Sequence, residues 1–554
     1  MITKSTFQSL PILLGGMLFF IAYWYWGYDG IVFSDDVTYI RLGHHFWKGN
    51  EVLNTDHFTL RWGTYFLPGL FTVWLGFNDH IASLSSLLFY LAALFILWKS
   101  LSNSMEQKWA IVFFVTPVYL LHFLPKVFPD SALVFWVLLV PFSIIHRNKK
   151  PLLAALIMAL ALFIGFCTKE TMVLLFPIPI ILFLLDYKKS SNRKFYEYFI
   201  GISLVLIINF LGYHYWKFGD PLFRFKSIDS GHYISDYTYY DKGWKSILQR
   251  ITYLPLYTFI ERQYWIWVVL AIPGIIRGYQ SRNNIHFAFS LTSTCLILGF
   301  WFMTSTMAFY NPIYLNPRHL IIFIGPLSAN IALGSQDWLK NAFWKNLCSL
   351  LIFIGAIIIL FSDLKMAAFY GAIALVLFLV PSQFKWISFA VLLIIPSILA
   401  ANYQKSLKNY PHLKEEFQKL ADQSDIHQPL LTHTFLAQSQ SILLENNTNI
   451  HSIHSMERAP LLLGKIPLQF NLLIYKYYKH AYPDEERALQ NTLKLIQSLG
   501  YTTVVKREDK WIKILRFKNV TPNKPLFWED QTYNKYPYIK NGVFYIKTKD
   551  FGSF

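Results

Sequence analysis

The chain has 554 residues, of which 54% are apolar, 18% aromatic and only 15% charged, with a net charge of +18 and a mean hydropathy of +0.34. A soluble domain carries about a quarter charged residues, so the composition excludes one and points to a polytopic membrane protein. The positive balance comes without a clustered basic-aromatic module, which argues against nucleic acid as a partner.

Bilayer-length apolar runs need about 20 residues each. They are expected near 8–26, 80–98, 109–124, 131–146, 151–167, 171–186, 197–214, 262–277, 285–303, 319–334, 347–362, 365–381 and 384–401, about thirteen in all. The first run ends in Tyr23-Trp-Tyr-Trp-Gly-Tyr28, an aromatic interfacial belt rather than a small-residue cleavage site. With Lys4 inside, alternate loops carry Lys99 and Lys108; Arg147, Lys149 and Lys150; Lys188, Lys189, Arg193 and Lys194; Arg277 and Arg282; Lys340 and Lys345; and Lys385. The positive-inside rule makes these loops cytoplasmic. The opposite loops then hold Asp35, Asp36, Asp130, residues 214–250 and the C-terminal region. Some basic residues do lie on that face, at His214-Tyr-Trp-Lys217 and Arg224-Phe-Lys226, and would suit an anionic headgroup or phosphate.

The loop 27–79 mixes apolar and polar residues, with Leu42, Phe46 and Trp47, then Phe58, Trp62, Tyr65 and Trp74. That pattern suggests amphipathic helices lying in the interface. Residues 1–401 read as the membrane domain and 402–554 as an extracytoplasmic α/β domain. In the latter, strands are expected at 428–434, 449–454, 502–505 and 511–517, and helices at 435–445 and 486–499. Cys167, Cys295 and Cys348 all fall in or beside apolar runs, so the C-terminal region has neither a disulfide framework nor a Cys-based zinc site. The sequon-like Asn446-Asn447-Thr448 is a short pattern that arises by chance.

Four motifs place charge where desolvation is expensive. Asp35 and Asp36, in Phe33-Ser-Asp-Asp-Val-Thr-Tyr39, follow the first span and read either as a general base and its companion or as a helix cap. Lys126-Val-Phe-Pro-Asp130 adds a base and an acid, or a Pro turn with a capping Asp. Thr168-Lys169-Glu170-Thr171 holds two charges between apolar segments, suited to a lipid phosphate or to mutual neutralisation. Asn316-Pro317-Arg318-His319 and Arg61-Trp62-Gly63 offer arginines that fork onto phosphate or snorkel to the interface. His44, His45 and His57 with Asp56 lack metal-ligand spacing and read as ordinary surface or interface histidines.

In order along the chain, these motifs resemble the GT-C glycosyltransferases. The similarity is to the branch of protein O-mannosyltransferases and the aminoarabinose transferase that modifies lipid A. It rests on the acidic pair after span one, Arg61 to Pro68, Pro129-Asp130, Thr168-Lys169-Glu170, Gly219-Asp220-Pro221 and Pro317-Arg318-His319-Leu320 with Pro326. The departures are Glu170 where the family often has Gly, and Asp-Asp where Asp-Glu is common.

The resemblance implies an inverting transfer of a sugar from a polyprenyl-phosphate-linked donor to an envelope acceptor (lipid A, a glycan, a lipid or a protein) on the outer face of the inner membrane. Its catalytic residues would be Asp35, Asp36 and Asp130, with Lys169, Arg318, Arg61 and Lys126 on the donor phosphate. Tyr39, Glu170 and His319 would line the pocket. The need for a divalent cation stays open, with Asp35, Asp36 and Asp130 as its candidate ligands. The alternative is a lipid or lipid-linked-sugar flippase. That reading predicts inverted repeats and a midplane site, and neither is legible in the sequence.

Overall fold

A computed structural model describes residues 4–50, 57–187, 192–230, 238–281, 283–306, 308–424, 428–445, 452–463, 467–519, 538–540 and 543–545. Asp56, Lys188, Lys189, Arg282 and Asn446–Thr448 lie outside them. The chain divides into two compact units, one formed by residues 1–51 and 56–406, the other containing residues 407–554.

The larger unit is helical. Each of the expected spans is helical, whole or in pieces, but only eight helices among the described residues are both long and apolar enough to cross a membrane by themselves. A ninth is reached if Leu254–Glu261 and Trp265–Gln280, bent by 113°, count as one. The breaks have local causes. Pro117 separates Ser104–Val115 from Val118–Phe123. The segment after Pro151–Thr168 passes through extended Lys169 into a 3₁₀ turn, Glu170–Leu175, before Pro177–Asp186. The run from Pro317 is likewise divided by the 3₁₀ turn Ile321–Phe323. The chain is a polytopic α-helical membrane protein whose interrupted spans bring charged groups to helix ends.

Polar contacts tie the spans together. Asn330 donates to Phe289 O and Ser293 Oγ, and accepts from Ser290 Oγ at 3.1 Å. Such cross-helix bonds act as glue where hydrophobicity gives no preference for helix over lipid. The helix Arg193–Phe218 instead leaves Leu204, Val205, Ile207 and Ile208 about half exposed, the apolar face expected toward lipid.

Between the first two long helices, α1 (Lys4–Trp26) and Asp79–Ser100, the chain forms α2 (Asp35–Trp47) and α3 (Trp62–Trp74). They pack backbone to backbone where Gly43 meets Gly69. A Cβ on either would collide with the other's main chain. Trp47, Phe66 and Trp74 stay exposed on this pair.

The smaller unit is a five-stranded sheet of β1 (Leu430–Thr432), β2 (Ile453–Ser455), β3 (Gln469–Tyr475), β4 (Tyr501–Glu508) and β5 (Ile512–Asn519), in the order β2-β1-β3-β5-β4. β1 pairs parallel with β2 and β3, and β5 antiparallel with β3 and β4. The helix Asp484–Ser498 packs Leu489 and Ile496 on Phe470, Leu472 and Phe517. Three of the expected strands are present as β1, β4 and β5. Of the expected strand 449–454, residues 449–451 lie outside the described residues and the strand there is β2, Ile453–Ser455, while the central strand β3 was not among those expected. Its run Phe470-Asn-Leu-Leu-Ile-Tyr475 carries the near-continuous apolar signal of a strand buried on both faces. The expected helix 435–445 is two short turns, Thr434–Gln438 and Gln440–Leu443.

Candidate active site

The acidic pair is split by its backbone. Buried Phe33 adopts φ +63°, a left-handed conformation that a bulky side chain takes only when its surroundings impose it. Asp36 then folds back onto the turn, accepting from Val32 N at 2.6 Å and Ser34 N at 3.0 Å. Both oxygens of Asp36, one of the expected catalytic carboxylates, accept from backbone amides of the turn that launches α2. Asp35 instead accepts from Arg318 Nη1 at 3.0 Å and from the Ser34 hydroxyl at 3.3 Å.

Arg318 joins Asp35 to Asp130. Its Nε lies 3.2 Å from Asp130 Oδ2, and its guanidinium stacks 4.7 Å above the Phe128 ring. Asn316 Oδ1 accepts from the Arg318 amide, and the Tyr264 hydroxyl donates to Pro317 O at 2.8 Å, fixing the short helix that carries the arginine. Asp130 sits in the first turn of Pro129–His146, where Pro at the first position and an acid beside it favour the helix start. Its other oxygen accepts from Lys169 Nζ at 2.6 Å.

Lys169 and Glu170 diverge because Lys169 is extended, with φ −161° and ψ 141°, so consecutive side chains leave on opposite sides. Glu170 takes a forked contact from Arg61, whose Nη2 donates at 2.6 Å and Nε at 3.1 Å, and a second contact from Arg224. Arg61 Nη1 also donates to the Tyr39 hydroxyl at 3.0 Å. Arg224, in Phe223–Ser230, is buried, and its Nη1 has no hydrogen-bond partner among the described residues. The sequence offered Arg224, with Lys226, as suited to an anionic headgroup or phosphate, without assigning it a place in the site.

A glycine sets this register. Gly63 lies against Thr168, where an added Cβ would overlap the hydroxyl and stand 3.1 Å from its Cα, and Thr64 Oγ1 donates to Thr168 O at 2.9 Å. The close approach of α3 to the end of Pro151–Thr168 is what lets Arg61 reach Glu170. Gly63→Val should therefore destabilise the fold by about 1–3 kcal/mol through overpacking, read as a lower unfolding midpoint in lipid nanodiscs. An unchanged midpoint would show that the approach is slack.

Lys126 stands apart from the other expected phosphate clamps. It is buried against Asp29, with Nζ donating to Asp29 Oδ1 and to His122 O, each at 2.7 Å. It forms a second buried ion pair, with a partner outside the motifs. His319 is half-buried, with Nδ1 2.9 Å from Tyr314 O.

The electrostatics make one coupled cluster. Burial alone would raise the Asp35 carboxyl, but Arg318, with Arg61 behind it, holds it below the usual carboxylate value. Burial would likewise raise Glu170, and Arg61 and Arg224 hold it down to about 2. Burial pushes Lys169 down to about 8 against the pull of Asp130. Burial also lowers His57 to about 4, with Arg61 adding to it, so its imidazole is neutral at pH 7. Four cations, Lys169, Arg318, Arg61 and Arg224, then face three carboxylates, Asp35, Asp130 and Glu170. With every member charged, the cluster carries +1.

The three candidate carboxylate ligands for a divalent cation each have other partners here. Asp130 is held by Lys169 and Arg318, Asp35 by Arg318 and Asp36 by backbone amides. Among the described residues no three His, Cys, Asp or Glu side chains are grouped to hold a metal ion.

These features define a class: a polytopic helical membrane protein with a small α/β unit and a buried, net-cationic cluster assembled from the ends of interrupted helices. No family model and no curated protein sequence matches the chain. Solved structures do, and two are of ArnT from Cupriavidus metallidurans. In the crystal structure bound to undecaprenyl phosphate the similarity has a TM-score of 0.58 at 11% identity, over 92% of this chain and 97% of that one. For the apo state the values are 0.54 and 11%, over 91% and 98%. The fold is the GT-C fold of ArnT, as the ordered motifs led us to expect.

Proposed function

We propose that the protein is an integral membrane glycosyltransferase that moves a sugar from a polyprenyl-phosphate-linked donor to a hydroxyl of an envelope acceptor, with inversion, on the outer face of the inner membrane. The observation that carries this reading is the cluster itself: a carboxylate beside a net-positive group of lysine and arginines. The likeness to an ArnT structure holding undecaprenyl phosphate supports the carrier.

Side-chain exposure chooses the base. The Asp130 side chain is 1% exposed and paired with Lys169 and Arg318, whereas Asp35 keeps 27%. Asp35 takes the proton as the acceptor oxygen attacks the anomeric carbon. The low carboxyl pKa keeps Asp35 ionised, which a base requires. The leaving carrier phosphate needs charge neutralisation more than protonation. Lys169, Arg318 and Arg61 supply it, with Asp130 orienting the first two. Tyr39 holds Arg61, and His319 lines the pocket.

The decisive experiment deletes the gene and compares the masses of envelope lipids and glycans, then offers the purified chain the matching undecaprenyl-phosphate-linked sugar. A lost sugar mass restored by the protein is expected. Unchanged masses, together with no carrier phosphate released in vitro, would overturn the reading.

A pH dependence follows. The donor phosphodiester does not titrate near neutrality, but Lys169 loses its proton as pH rises through about 8. Donor affinity should be retained below that value and weaken above it. A Lys169→Arg variant should lose the transition, measured as the apparent KM for donor against pH.

A further inference from the structure

Charge bookkeeping across the reaction gives Glu170 a task beyond holding two arginines. This inference rests on the polyprenyl-phosphate reading above. In the transfer, the bond from acceptor oxygen to anomeric carbon forms as the bond from that carbon to the phosphate oxygen breaks. The bonding pair leaves on the phosphate, and the hydroxyl proton goes to Asp35. The donor is a phosphodiester with one negative charge. The product is a phosphomonoester that carries close to two at pH 7.

The cluster, at +1, neutralises the donor. Just after transfer Asp35 is protonated, the cluster stands at +2, and the doubly charged product is still balanced. Once Asp35 gives up its proton, the cluster returns to +1 and the product is in excess by one negative charge. Arg318 on Asp35 favours that deprotonation. Without the Glu170 carboxylate the cluster would remain at +2 and keep its product.

Glu170 is placed to act this way. It contacts both Arg61 and Arg224, so its charge offsets two of the four cations directly. We propose that Glu170 sets the charge of the cluster so that it accepts the singly charged donor and releases the doubly charged carrier phosphate.

The test uses the full-length protein in nanodiscs with undecaprenyl phosphate as the probe, comparing wild type, Glu170→Gln and Glu170→Asp. Glu170→Gln removes the charge but keeps an acceptor for the arginines. It should bind undecaprenyl phosphate at least about tenfold more tightly, the scale of one unit charge a few ångströms away. Its donor KM should change less, its kcat should fall, and added undecaprenyl phosphate should inhibit it more strongly. Glu170→Asp should bind the carrier as wild type does. The inference is overturned if Glu170→Gln binds the carrier no more tightly than wild type, or if Glu170→Asp tightens binding equally. If wild type binds no undecaprenyl phosphate, the polyprenyl-phosphate reading fails first and the inference with it.

Discussion

Asp35→Asn should slow sugar transfer by about 10²–10⁴-fold, the usual worth of a general base, while the protein still folds and binds its carrier. The reason is geometric. Asn keeps an oxygen for Arg318 Nη1, which now lies 3.0 Å from the carboxylate, so the local structure survives. What disappears is the charge that accepts the proton, and the cluster becomes more positive, so undecaprenyl phosphate should bind at least as well. Initial rates with saturating donor, set against direct binding of undecaprenyl phosphate, separate the two effects. Asp36→Asn is the comparison. Its carboxylate accepts two backbone amides, and an amide side chain cannot accept both in the same way, so its loss should appear as about 1–3 kcal/mol of stability. Full activity in Asp35→Asn would end the assignment of Asp35 as base.

The second large effect is expected at Arg318. One guanidinium reaches Asp35 through Nη1 and Asp130 through Nε, while its face covers Phe128. Lysine keeps the charge but presents a single point, so it cannot hold two carboxylates and a ring at once. Arg318→Lys should therefore lower kcat/KM by about 10²-fold or more, close to 3 kcal/mol of transition-state stabilisation. Because Arg318 acts partly through Asp35, the double variant with Asp35→Asn should cost less than the sum of the singles, with a coupling of about 1–3 kcal/mol. Additive losses would mean that the ion pair between them does not matter to the reaction.

The contrast between Lys126 and Lys169 shows how a partner decides a role. Both are buried lysines beside apolar spans, and both looked like phosphate clamps in the sequence. Lys126 meets Asp29, a pair made by residues far apart in the chain and legible in neither local motif. Lys169 meets Asp130 beside Arg318 and so joins the charged cluster. Arg224 is the reverse case: a basic residue outside the four motifs, drawn in by Glu170.

The sequence by itself determined the class of protein, because spanning a bilayer demands long apolar runs that composition cannot hide. It also determined the acids and bases worth following, since charges beside such runs are costly and few. Tertiary structure alone decided which of them meet. The left-handed turn at Phe33 separated Asp36 from Asp35. The extended backbone at Lys169 aimed neighbouring charges at different partners, and Gly63 let Arg61 reach Glu170. Each depends on backbone conformation or close approach between distant segments, and Coulombic interactions act over distances in space rather than along the chain.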